Sequence, residues 1–99
     1  MTSRNSKEWQ SAFGAAVKKK FPKSMTPEDR LLAVYRQMGD LSGAMAFEAG
    51  RLKAVGHGYD NVPHRLACVF AELFILANEM GEQNLDVRLA EVLAWYEAP

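Results

Sequence analysis

The side chains that could do chemistry lie on two segments whose apolar residues have helical spacing. Asp40 follows Gly39 in YRQMGDLSGAM, and Glu72 lies inside the apolar run LACVFAELFILA. Carboxylates are the hard oxygen ligands that Mg²⁺ prefers. If the two segments are facing helices, Asp40 and Glu72 could hold one divalent cation between them. Two carboxylates seldom hold magnesium without further oxygen ligands, so we assign no metal site and no catalytic residue from this pair alone.

Three neighbours on the same helical faces oppose metal binding. Gln37 precedes Asp40 by three residues, and Arg65 and Cys68 precede Glu72 by seven and four, so each shares a helix face with its carboxylate. Gln37 offers an oxygen without charge, the Cys68 thiol is too soft a ligand for magnesium, and Arg65 brings a positive charge. We therefore expect Asp40 and Arg65 to form an ion pair in place of a metal site. The apolar neighbours of Cys68 favour a small core residue over a nucleophile.

The first two predicted helices have clear boundary signals. Helix one is predicted from Ser6 to Lys20, with Ser6 as N-cap and Phe21-Pro22 as its end. Its apolar stripe is Trp9, Ala12, Phe13, Ala16 and Val17. Helix two begins with Thr26 as cap and Pro27 in its first turn, and its spacing of apolar residues can continue to Val55, with Gly56 as the stop.

The second half of the chain predicts a loop and two more helices. GHGYDNV, residues 56–62, has turn composition, and His57 and His64 around it lack the further ligands of a zinc site. Helix three starts near Pro63, is apolar nearly all round, and ends near Met80 before Gly81. Helix four follows Asn84 as cap, with a stripe of Leu85, Leu89, Val92, Leu93 and Tyr96.

These segments predict one all-α, four-helix bundle-like domain over residues 1–99, in which the two long helices are antiparallel because a short loop joins them. Within it, residues 1–23 form a basic helical arm and residues 26–98 the helical core. A domain this small buries little surface, so a helix that is apolar all round predicts a homo-oligomer, either a dimer or a pair of dimers.

Composition narrows the function classes. The chain has 99 residues, 48% of them hydrophobic, with one cysteine, and neither a membrane-spanning run nor a signal-peptide pattern, so we expect a cytoplasmic protein. The net charge of zero divides into +5 for residues 1–23 and −5 for the remainder. The lysines at positions 18–20 fit a helix C-terminus, where cations are favourable, better than a nucleic-acid surface, which needs a larger basic cluster.

The order of features from Tyr35 to Glu97 resembles the MazG-like, all-α nucleoside triphosphate pyrophosphohydrolases. The resemblance rests on RQMGDL, residues 36–41, and RLACVFAELFILANEMG, residues 65–81. In that family two helices offer four carboxylates to the metal ions that bind the triphosphate. The resemblance places those four positions on Gln37, Asp40, Arg65 and Cys68, so it implies a member that has lost most of its metal ligands.

Three functions remain open at this point. The first is a catalytically degenerate MazG-like binding module without a cofactor, whose ligand is a nucleotide or another phosphate-bearing molecule that Arg36, Asp40, Arg65 and Glu72 would meet. The second is an active, Mg²⁺-dependent pyrophosphohydrolase with an atypical site. The third is an adaptor that touches nucleic acid or protein through its basic arm. We rank them in that order.

Overall fold

Four α-helices make up the described part of the chain, residues 3–23, 25–50 and 61–99 of a computed structural model. They are α1 (Ser6–Lys20), α2 (Pro27–Glu48), α3 (Val62–Glu79) and α4 (Leu85–Glu97). No strand occurs within these ranges, so the all-α prediction is confirmed. None of the described helices is long and apolar enough to cross a membrane.

The helix N-termini follow the capping signals, with one correction. Thr26, Asn61 and Asn84 cap α2, α3 and α4, and each side chain accepts a hydrogen bond from a backbone N–H in the first turn. At α1 the N-cap is Asn5, not the predicted Ser6. Asn5 is the cap because Glu8 lies three residues later and its carboxylate accepts a hydrogen bond from the Asn5 N–H, which completes a capping box.

α2 is shorter than predicted. The apolar spacing favours a helix to Val55, but α2 ends at Glu48, with Ala49 as its C-cap and Gly50 at φ +72°. Glycine adopts this left-handed conformation without a steric cost, so Gly50 stops the helix earlier than Gly56 could. Leu52, Val55 and most of the predicted loop, including His57, lie outside the described residues.

α2 and α3 pack against each other as an antiparallel pair, as predicted. Arg30 near the start of α2 meets Glu79 at the end of α3, and Asp40 farther along α2 meets Arg65 at the start of α3. The buried apolar side chains of these two helices are small or branched: Val34, Ala44, Ile75 and Ala77.

α1 packs on α3 through aromatic and polar contacts. The ring of Phe13 stacks on Phe74 with centroids 6.3 Å apart, and Trp9 stacks on Phe13 at 5.9 Å. Trp9 remains 42% exposed, and the ring that stacks directly on α3 is that of Phe13. Gly14 allows the close approach, because a Cβ there would lie 2.8 Å from the Asn78 Nδ2.

Gln10, a residue that sequence analysis did not select, is the most buried polar side chain among the described residues, at 1% exposure. Its amide Nε2 donates to the backbone oxygen of Glu82, and its Oε1 accepts from the Leu85 N–H. The Asn78 Nδ2 donates to the Gln10 backbone oxygen at 2.9 Å. Gln10 therefore attaches α1 to the turn between α3 and α4.

Candidate functional site

The predicted ion pair between Asp40 and Arg65 is present. Arg65 Nη1 lies 3.7 Å from Asp40 Oδ2, across the interface between α2 and α3. The Arg65 side chain is only 7% exposed, whereas that of Asp40 is 38% exposed. The guanidinium is thus buried between the helices, and the carboxylate reaches it from the edge of the interface. A buried charge needs such a partner because removal from water is costly.

Arg30 holds a second pair of acids nearer the other end of the interface. Its Nη1 lies 3.1 Å from Glu72 Oε2, and its Nε donates to Glu79 Oε1 at 3.2 Å. The three side chains are between 10% and 21% exposed. We call these contacts, together with Arg65–Asp40, the interhelical ion pairs. They give Glu72 an arginine partner, as they do Asp40.

Gln37 and Cys68 lie between the two groups of ion pairs. The antiparallel register set by Arg30–Glu79 and Asp40–Arg65 puts Gln37 and Cys68 at about the same level on the facing helices. Both are half-buried, and the Gln37 Oε1 is buried without a hydrogen-bond partner. The four positions that the resemblance selects therefore lie along one helix interface. That placement agrees with the helical spacing of these four residues.

The predicted ligand-binding residues lie in two separate places. Arg36 is exposed and lines a cavity together with Glu72, whereas Asp40 and Arg65 pair with each other inside the interface. Arg65 is therefore not presented to a ligand beside Arg36. That both arginines contact one phosphate-bearing ligand stays a prediction.

Sequence reasoning missed Arg30 and Glu79. The available signal was helical spacing: Arg30 precedes Gln37 by seven residues, and Glu79 follows Glu72 by seven, so both extend the faces already selected. Arg30 follows Glu28 and Asp29 in the first turn of α2, where charged residues are usually solvated, so residue type alone does not indicate its burial.

At this interface, arginine side chains neutralise the charge of the carboxylates that they contact. Within the described ranges, no group of three or more His, Cys, Asp or Glu side chains is placed to hold a metal ion. Each acid that could have served as a metal ligand has a guanidinium within 4 Å. His64, in the first turn of α3, is exposed, as expected for a histidine outside a metal site.

Comparisons with known protein families, curated proteins and solved structures find no significant match to this chain.

Proposed function

We propose that this protein is a non-catalytic, self-associating helical module of MazG-like organisation, in which arginines take the place of metal ions between the two long helices. The observation that carries the proposal is the set of interhelical ion pairs. Asp40 and Glu72 are the two carboxylates with which a metal site could begin, and both are held by arginines.

Charge supports a non-catalytic role. The four positions of the resemblance contribute one negative charge from Asp40 and one positive charge from Arg65, while Gln37 and the Cys68 thiol add none. Metal ions that polarise a triphosphate need a surplus of negative ligands. With no net negative charge, these positions do not concentrate divalent cations.

An uncovered apolar surface supports self-association. Large apolar side chains of α2 and α3 remain exposed in the packed helix pair. We call this surface the hairpin face; its residues are Leu31, Tyr35, Met38, Met45, Leu66, Phe70 and Leu73, each at least 40% exposed. None of the 13 residues of α4, all of them described, is buried. A large number of exposed apolar side chains on one helix pair is typical of a protein–protein interface.

The total surface agrees with that interpretation. The chain has 7845 Å² of accessible surface, whereas a compact protein of its mass has roughly 5600 Å². Its radius of gyration is 15.7 Å, against about 13 Å for a compact domain of 100 residues. Both values are larger than those of a compact domain, as expected for a chain that packs against a second copy.

A hydrolysis assay tests the proposed function. Pyrophosphate release is measured with wild-type protein, Mg²⁺ or Mn²⁺, and a panel of canonical and damaged nucleoside triphosphates. We expect no metal-dependent turnover above the background of buffer. Turnover by the wild type that Asp40→Ala abolishes would overturn the proposal and identify Asp40 as part of a working metal site.

A further inference from the structure

Two adjoining cavities lie where the end of α1, residues 21–23 and Met25 meet α2 and α3. One has a volume of about 520 Å³ and the other about 700 Å³. Phe21, Pro22, Lys23, Met25 and Arg30 line both. Each volume is within the range of about 300 to 1000 Å³ that small-molecule sites occupy.

The lining is cationic. Lys18, Lys20 and Arg36 add to the shared Lys23 and Arg30, so five cations face two carboxylates, for a net charge of +3. The carboxylates, Glu72 and Glu79, are the ones already bound to Arg30. Lys20, Lys23 and Arg36 all line the larger cavity and are exposed, which makes it the more favourable place for an anionic group.

The same cavities offer apolar surface. Phe21 and Met25 are 58% and 45% exposed, although they lie beside the packed helices. Ile75, a buried core residue, lines the inner wall of the smaller cavity. One lysine ammonium group also lies over an aromatic ring here: the Lys20 Nζ is 5.8 Å from the centroid of the Phe21 ring.

We propose that these cavities bind an amphipathic organic anion, with its anionic head at Lys20, Lys23 and Arg36 and its apolar part against Phe21, Met25 and Ile75. The inference deepens the proposed function, on which it rests, because it assigns the binding module a ligand class and a site. The anionic head shares the larger cavity with Glu72, whose charge Arg30 neutralises, and lies away from Glu79, which lines only the smaller cavity. The site is separate from Asp40 and Arg65, which line neither cavity.

Calorimetric titration of the full chain with octyl phosphate, below its micelle concentration, tests the site. We expect saturable binding, with inorganic phosphate and octanol each at least about tenfold weaker, because each supplies only half of the interaction. NMR of methyl groups should show the largest shift at Met25. A shift at Met25 distinguishes binding in the cavities from binding at the hairpin face, which also offers apolar surface to an alkyl chain.

The double variant Lys23→Glu, Arg36→Glu should weaken octyl phosphate binding by about tenfold or more, since charge-assisted contacts are lost and repulsion is added. Lys7→Glu, Lys19→Glu is the matched control, because both lysines are exposed and line neither cavity. Equal affinity in the two double variants, or no saturable binding by the wild type, would overturn this inference. If octyl phosphate does not bind and nucleotides are not hydrolysed, this inference fails and the proposed function stands. If octyl phosphate binds and nucleotides are hydrolysed, the proposed function fails although the cavities bind their ligand.

Discussion

At the scale of single residues, the defining feature is that arginines hold the carboxylates along the interface between α2 and α3. The pairing of Asp40 with Arg65 could be predicted because the two residue types occupied one predicted helix interface. The pairing of Glu72 with Arg30 could not, because spacing alone does not say which of several charged residues turns inward. Arg36 has the same charge and lies on the same helix, yet it is exposed, whereas Arg30 is 8% exposed.

Arg30→Ala should therefore destabilise the fold. The change leaves two carboxylates, Glu72 and Glu79, close together and partly buried without their cation, and we expect a loss of about 2 to 4 kcal/mol in the free energy of unfolding. Arg36→Ala is the control, with a change of about 0.5 kcal/mol or less because that side chain is exposed. Urea unfolding followed by circular dichroism measures both, and equal effects would argue against Arg30 as a structural ion-pair residue.

Gln10→Ala should also destabilise the protein more than its size suggests. The variant leaves the Glu82 oxygen and the Leu85 N–H without the side-chain partner that Gln10 supplies, and we expect a cost of about 1 to 3 kcal/mol. Ser11→Ala, at the exposed neighbouring position, is the control. If both variants unfold at the same urea concentration, Gln10 does not attach α1 to the turn before α4.

At the scale of elements, three helix caps could be predicted from the sequence, whereas the N-cap of α1 and the end of α2 were predicted wrongly. Thr26, Asn61 and Asn84 cap their helices through local hydrogen bonds that residue type alone indicates. The end of α2 is set by Gly50 in a left-handed conformation, and the apolar spacing beyond Gly50 did not indicate that stop. The docking of α1 on α3 agrees with its apolar stripe, but the stripe did not reveal that Phe13 is more central than Trp9.

The difference between Phe13 and Trp9 gives an element-scale prediction. Phe13→Ala removes the ring that stacks on Phe74 and should cost about 3 kcal/mol of stability. Trp9→Ala should cost less, because that indole is 42% exposed and stacks only at the edge of the contact. Thermal unfolding of both variants measures the order. A larger loss for Trp9→Ala would mean that α1 docks through its first turn instead.

At the scale of the whole molecule, the hairpin face predicts self-association. Light scattering should give a mass of at least about 22 kDa, twice the 11.0 kDa of the chain. The double variant Leu66→Glu, Phe70→Glu places two charges on the hairpin face and should reduce the mass to that of one chain. Ser11→Glu, Ala15→Glu has the same spacing on the exposed side of α1 and should leave the mass unchanged. A wild-type monomer at high concentration would contradict this prediction.

The central claim is that arginine occupies the place of a metal ion between α2 and α3, and magnesium calorimetry tests it most directly. The wild type is compared with the triple variant Gln37→Glu, Arg65→Glu, Cys68→Asp, whose fold is first checked by circular dichroism. Replacing Arg65 by Glu changes the charge beside Asp40 by two units, and the other changes each add a carboxylate.

We predict no binding heat for the wild type with millimolar Mg²⁺, and saturable binding by the triple variant together with a rise in its melting temperature when Mg²⁺ is added. Saturable Mg²⁺ binding by the wild type, lost in Asp40→Ala, would contradict the account, because it would show that Asp40 holds a metal ion despite its ion pair with Arg65.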